Sequence, residues 1–216
     1  MTKSSRTRTP VRRRKRNVPS PLVVVGVVVF ILAVAAAMLT MSGERSGGGR
    51  EIGTVQISGS ALPKQGASPD TAIAMPAPRA RGVNFADDPV AVQNDGRPKA
   101  IVFLAHWCPH CQKEVPKVVS WLEQTGGVEG VDIYAVSTFA DRTRPNWPPS
   151  AWLQRERWTS PVLLDDADGS VAEAFGLSGT PMWVFVSAEG TVTKRISGEV
   201  SVATFEAEMR ALVAGG

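Results

Sequence analysis

An α/β domain, with a mixed sheet carrying helices on both faces, is the fold class that this 216-residue sequence predicts, and three observations predict it. The run Ala100-Ile101-Val102-Phe103-Leu104-Ala105 is apolar and unbroken by charge, as a strand covered on both faces requires. From Pro109 the pattern changes to helical spacing, with Val115, Val118, Val119 and Leu122 on one stripe until Gly126-Gly127 ends it. Beyond that helix, short strands and helices alternate, and the chain closes on a hairpin and an amphipathic helix.

Taken in chain order, residues 1–21 hold 8 of the 24 basic residues and no acid, and read as a basic cytoplasmic tail. Residues 22–41 follow without a charge. At 1.5 Å per residue they cover about 30 Å of hydrocarbon, so one transmembrane helix is expected, acting as a signal-anchor. The positive-inside bias places everything after it outside the cytoplasm. The competing reading is a cleaved signal peptide with Ala35-Ala36-Ala37 as its processing site. Residues 42–75, rich in Gly, Ser, Pro and Ala and without periodicity, read as a flexible linker, and residues 76–216 as the extracytoplasmic domain. Without the tail, 16 basic residues face 20 acidic ones, so the basic character of the chain belongs to the tail and predicts no nucleic-acid partner.

Within the domain, residues 79–94 read as an added hairpin. The strand at 99–105 precedes the helix that opens at Pro109, a residue suited to a first turn because its missing N–H costs nothing there. Pro116, inside the same helix, predicts a kink. Residues 131–137 read as a strand, 150–158 as a helix, 161–164 as a strand and 170–175 as a short helix. Strands at 182–187 and 191–196 flank the turn signal Ala188-Glu189-Gly190, and 201–213 is the closing helix. The stretch from Phe139 to Trp158 is too proline-rich to be wholly regular; it reads as a covering loop, with a substrate groove as the alternative. Of the six tryptophans, all but Trp107 are expected to pack in the core or cap it.

Both cysteines stand in Trp107-Cys108-Pro109-His110-Cys111. At a helix start, the first sulfur meets N–H groups the helix leaves unpaired, which favours thiolate over thiol. A free cysteine titrates near about 8.5, and such a position lowers that to roughly 3.5–7, about 1.4 kcal/mol per unit. A static disulfide is the weaker reading, because so short a loop gains little from chain entropy. Zinc needs four ligands in tetrahedral array, and the chain holds no histidine or cysteine beyond His106, His110 and the pair. Redox exchange is the chemistry the pattern supports, with no metal and no cofactor expected.

The string Trp107-Cys108-Pro109-His110-Cys111-Gln112-Lys113-Glu114-Val115-Pro116, with Gly179-Thr180-Pro181 following the second cysteine by 70 residues, resembles the thioredoxin fold. Within it, the frame W-C-x-x-C-x-x-E-x-P is similar to the membrane-anchored TlpA/ResA group of thiol-disulfide oxidoreductases, over about residues 76–214. The resemblance implies Cys108 as nucleophile, Cys111 as resolving thiol, Pro181 as a cis-proline facing them, Thr180 beside the sulfurs, and Trp107 as an exposed substrate contact. It implies for Glu114 a partly buried acid-base role, against the plain reading of an exposed helix glutamate. One departure is Val102, six residues before Cys108, where thioredoxins proper carry a buried aspartate. His110 inside the pair favours the reduced form and so an oxidising disulfide, as in DsbA proteins, whereas the frame around it favours the reductases of cytochrome c maturation. The expectation leans to the oxidant. Expected partners are thiols or disulfides of exported proteins, a membrane redox partner, and lipid through residues 22–41. A redox-inert adaptor is the alternative from another class. A peroxidase is disfavoured, since Ala105 stands where peroxiredoxins carry threonine or serine.

Overall fold

The structure is a computed structural model that describes residues 49–66 and 68–215. The expected basic tail, the transmembrane helix and the first part of the linker lie outside the described residues; among those described, no helix is long and apolar enough to cross a membrane.

A five-stranded mixed sheet has the order β6-β5-β4-β7-β8, from β4 (Lys99–Leu104), β5 (Asp132–Ser137), β6 (Val162–Leu164), β7 (Met182–Val186) and β8 (Val192–Ser197). β4 runs parallel to β5 and antiparallel to β7, and is buried at every residue, as the charge-free run Ala100 to Leu104 requires. Successive side chains on a strand point to opposite faces, so β4 feeds two cores. Ala100, Val102 and Leu104 pack with helices α1 (Pro109–Thr125), α2 (Pro149–Arg155) and α4 (Val202–Ala214) through Val115, Trp152, Phe205 and Met209. Ile101 and Phe103 face the other way, onto α3 (Ser170–Ala174) with Val171 and Phe175, and onto Leu62, Ala72 and Ala80. Each fully buried Val, Leu, Ile, Phe or Met side chain among these contributes roughly 1.5–3 kcal/mol. This is the mixed sheet of the thioredoxin fold, as expected.

The expected N-terminal hairpin is present as β2 (Arg79–Val83) and β3 (Pro89–Val92), and a third strand widens it: β1 (Gln56–Ser58) pairs antiparallel with β2. That strand corrects the linker reading for residues 49–66 and 68–75. They are tied to the domain by single bonds at irregular spacing, which leave no periodic trace in the sequence. Gly53 N–H reaches Asp165 O at 2.8 Å, Leu62 N–H reaches Ala174 O at 2.8 Å, and Gln65 N–H reaches Gly176 O at 2.8 Å. At Gly176, with φ +67°, a Cβ would stand 2.3 Å from Pro63 O, so only glycine admits this approach. The deepest tie is Arg195 of β8. Its side chain has 0% exposure, grips Asp70 through Nε at 2.9 Å and Nη2 at 2.5 Å, and donates to Pro63 O and Phe175 O.

α1 runs from Pro109 to Thr125 as one element with Pro116 inside it, and one other helix differs from the sequence reading. α2 stops at Arg155, three residues short of the expected Trp158, because Arg157 adopts a left-handed φ of +59° and Trp158 N–H turns back to Leu153 O.

Candidate active site

The β4–α1 connection places the dithiol. Cys108 is the N-cap of α1, in extended conformation, with Pro109 in the first turn and no capping side chain, so the helix N–H groups are free to face its sulfur. Both cysteines are free thiols. In the thiol form Cys108 Sγ donates to Thr180 O at 3.1 Å, and the Thr180–Pro181 peptide is cis. The Thr180 carbonyl, from the segment that leads into β7, thus stands directly at the sulfur. Burial by itself pushes the Cys108 thiol up; hydrogen bonds from the Thr180 side chain and from the N–H groups of Cys111 and His110 outweigh it and hold the thiol below its ordinary value. Cys111 goes the other way: burial pushes its thiol far up, and charge on Cys108 adds to the shift. Access to the first sulfur is narrow, with Cys108 5% exposed against 0% for Cys111.

Glu114, one turn after Cys111, is buried, which removes the reading of it as an exposed helix residue. Its Oε1 accepts from Trp183 Nε1 of β7, and its Oε2 accepts from Val200 N–H at 2.7 Å. Burial raises its carboxyl above the usual range, against the pull of those two donors. Because the folded value is raised, the native state prefers the protonated acid; that contribution is complete below the ordinary value of 4.5 and is lost as pH rises through the folded value. Glu114→Gln is expected to destabilise the domain by roughly 1–3 kcal/mol, since an amide has one acceptor and leaves a buried donor unpaired. Urea denaturation across pH 4 to 9 checks it, with the gap to wild type narrowing as pH rises.

His110 is exposed and its imidazole points to Glu199, with Nδ1 2.8 Å from Oε1. Lys117 and Lys113 approach the same carboxylate at 3.4 and 3.9 Å. The side chain of His110 is thus engaged by a carboxylate, while its backbone N–H serves Cys108.

A family model described as Redoxin matches residues 73–211, more than half of the chain and all of the site just described. The chain belongs to the Redoxin family. Among curated proteins, it is 28% identical over 105 residues to the "Thiol:disulfide interchange protein DsbE" of Pseudomonas aeruginosa, a match covering 49% of this chain and 53% of that protein. The chain therefore matches about half the length of that curated relative. Among solved structures, this Redoxin superposes on StoA from Bacillus subtilis with a TM-score of 0.52 at 19% identity, covering 62% of this chain and 98% of that one. A secreted Mycobacterium tuberculosis disulfide oxidoreductase homologous to E. coli DsbE gives a TM-score of 0.51 at 20% identity, covering 61% and 94%. These likenesses agree on the fold. The dithiol and its setting in this Redoxin are those of a thiol-disulfide oxidoreductase.

The Redoxin site has one more wall, formed by Trp107 and the loop that begins at Phe139. Trp107 is half-buried rather than exposed: its Nε1 donates to Phe139 O at 2.8 Å, and Arg144 lies over its ring at 4.3 Å. Phe139 holds a left-handed φ of +52°, which turns that carbonyl toward the indole. His106 is the pin of the same loop. It is buried, its Nδ1–H donates to Pro145 O at 2.7 Å, and its Nε2 accepts from Asp141 N–H at 3.1 Å, which together require the neutral ring. Burial lowers its pKa, in keeping with that tautomer. Its only sequence signal was its position two residues before the first cysteine. The other tryptophans divide as expected, with Trp121, Trp152 and Trp183 buried and Trp147 and Trp158 partly so.

Proposed function

We propose that this chain is a membrane-anchored, extracytoplasmic thiol-disulfide oxidoreductase that exchanges disulfides with exported proteins through Cys108. The observation that carries the reading is the Cys108 sulfur at the mouth of α1, 3.1 Å from Thr180 O beside a cis-proline edge. A peptide laid along that edge brings its own sulfur to Cys108. In the reducing direction the Cys108 thiolate attacks one sulfur of a client disulfide; the Cys108–client bond forms, the client bond breaks, and the leaving sulfur departs as thiolate and takes up a proton. Cys111 then loses its proton, attacks Cys108 Sγ and releases the second client thiolate, so that two electrons pass from the dithiol to the client. Donation of a disulfide is the same sequence reversed. In this reading Glu114, the buried acid nearest along the helix, takes and returns the Cys111 proton, and Trp107, Thr180 and Pro181 border the client.

The direction we infer is donation. Whatever stabilises the Cys108 thiolate stabilises the reduced form and makes the disulfide more oxidising. The lowered thiol supports this. The reductase reading keeps a specific observation in its favour, the Glu199 carboxylate that engages the His110 imidazole and brings negative charge to that side of the dithiol. The anchor is supported by the charge-free residues 22–41 behind eight basic residues.

Cys111→Ala in the full chain is expected to accumulate mixed disulfides between Cys108 and exported proteins, resolved by non-reducing electrophoresis. No adducts, under conditions where wild type exchanges, would remove the catalytic reading. The reduction potential against a glutathione series then decides direction: near about −120 mV the chain donates disulfides, and well below about −220 mV it reduces them.

A further inference from the structure

The rim of the dithiol differs in charge from the domain that carries it. From residue 49 onward the sequence holds 15 lysines and arginines against 19 aspartates and glutamates. Beside the dithiol the balance reverses. On the α1 side, His110, Lys113 and Lys117 share the single carboxylate of Glu199. On the loop that joins β5 to α2, Arg142 lies 5.2 Å over Trp147 and Arg144 lies 4.3 Å over Trp107, the residue preceding the nucleophile. The one carboxylate between β5 and these arginines, Asp141, turns its Oδ1 to the N–H and hydroxyl of Thr143 at 2.9 and 2.7 Å. Among the described residues, neither arginine forms an ion pair with a carboxylate.

The loop also holds its arginines in place before any client arrives. His106 bonds it at Asp141 and Pro145, Trp107 bonds it at Phe139, and Asn146, within reach of His106 O at 3.4 Å, accepts from Arg155 at 3.1 Å. A guanidinium stacked on an aromatic ring keeps its edge N–H groups directed outward for a second partner, and a held side chain loses less entropy on binding. A stacked, unpaired cation beside a nucleophilic sulfur fits a carboxylate on the segment that brings its sulfur there.

On the proposed exchange function, we infer that Arg144 is a specificity residue that selects client segments with an acidic side chain flanking the reactive cysteine. Lys113 and Lys117 add to the same field from the other element, and the acidic remainder of the domain repels such segments elsewhere, which directs them to the rim.

The test uses the full chain in detergent, in the Cys111→Ala background, with short cysteine peptides activated as 2-pyridyl disulfides. Cys108 thiolate attacks the peptide sulfur, the Cys108–peptide bond forms, the peptide–pyridyl bond breaks, and 2-thiopyridone leaves as the coloured readout. Peptides differ only in the residues flanking cysteine: aspartate, serine or lysine. Each rate is divided by the same protein's rate with a small uncharged pyridyl disulfide. The aspartate peptide is expected to react roughly three to ten times faster than the lysine peptide at low salt, with the ratio falling toward one in roughly 0.5 M salt. Arg144→Gln is expected to bring the low-salt ratio near one, and Arg144→Lys to restore part of it. A wild-type ratio of one overturns the specificity and leaves the exchange function standing. A ratio that survives Arg144→Gln overturns the assignment to Arg144. No reaction even with the small uncharged disulfide overturns the exchange reading itself.

Discussion

Asp70→Ala is expected to destabilise the domain by about 3–5 kcal/mol, the range for removing one partner of a buried ion pair and leaving the other charge uncompensated. The Arg195 guanidinium has 0% side-chain exposure, and Asp70 is the only carboxylate that pairs with it among the described residues. Its remaining acceptors are the carbonyls of Pro63 and Phe175, which satisfy hydrogen bonds and leave the charge unopposed. The Ala72 N–H loses its acceptor on Asp70 Oδ1 as well. The exposed pair Arg157–Glu123 offers the contrast, because water replaces either partner there. The pH dependence has a definite sign. The Arg195 hydrogen bonds, foremost, hold the Asp70 carboxyl below its ordinary value of 3.8. Its contribution is therefore complete above that value and lost as pH falls through the depressed one. Urea unfolding of wild type and variant at pH 7 and at pH 3 measures both effects, with the difference shrinking in acid. A loss under about 1 kcal/mol at neutral pH would show that the N-terminal segment is not held by this pair.

Cys108→Ser is expected to lower exchange with any disulfide by roughly a thousandfold or more, as removal of a sole nucleophile does. A serine hydroxyl does not ionise in the range where the thiolate forms, and the other cysteine cannot take over. Cys111 is wholly buried, and its thiol is held protonated by that burial. The same asymmetry predicts that a small alkylating agent modifies wild type at Cys108 and leaves Cys108→Ser almost unmodified in the folded state. Stopped-flow reduction of an uncharged disulfide, with mass spectrometry of the alkylated protein, checks both. Exchange within tenfold of wild type in the variant would transfer the chemistry to Cys111 and reverse the assigned roles.

Local signals were enough for the elements whose character is written in consecutive residues. The charge-free run of β4, the stripe on α1 and the turn between β7 and β8 each appear within a window of about ten residues, and each element stands within one or two residues of its expected bounds. β1 and the segments 49–66 and 68–72 did not appear, because they are fastened by separate backbone bonds and by one arginine 125 residues away from its aspartate. A pattern search has no period to find there. At the site the same division holds. The cysteines and Pro181 were legible from their motifs, whereas His106 and Glu199 were not, since each acts through partners far along the chain.

What the sequence determined by itself is the chemistry and its local platform: two cysteines one helical turn apart, preceded by a strand that must be buried and followed by a helix whose first turn has N–H groups to offer. Only the tertiary structure decided how the two sulfurs differ, because depth and neighbours are properties of the assembled sheet. It set Cys108 against Thr180 O while closing Cys111 off, put Glu114 beneath Trp183, and folded the loop from Phe139 to Pro145 against Trp107. Burial and long-range charge act through space, and the order of residues carries them only after the chain has folded.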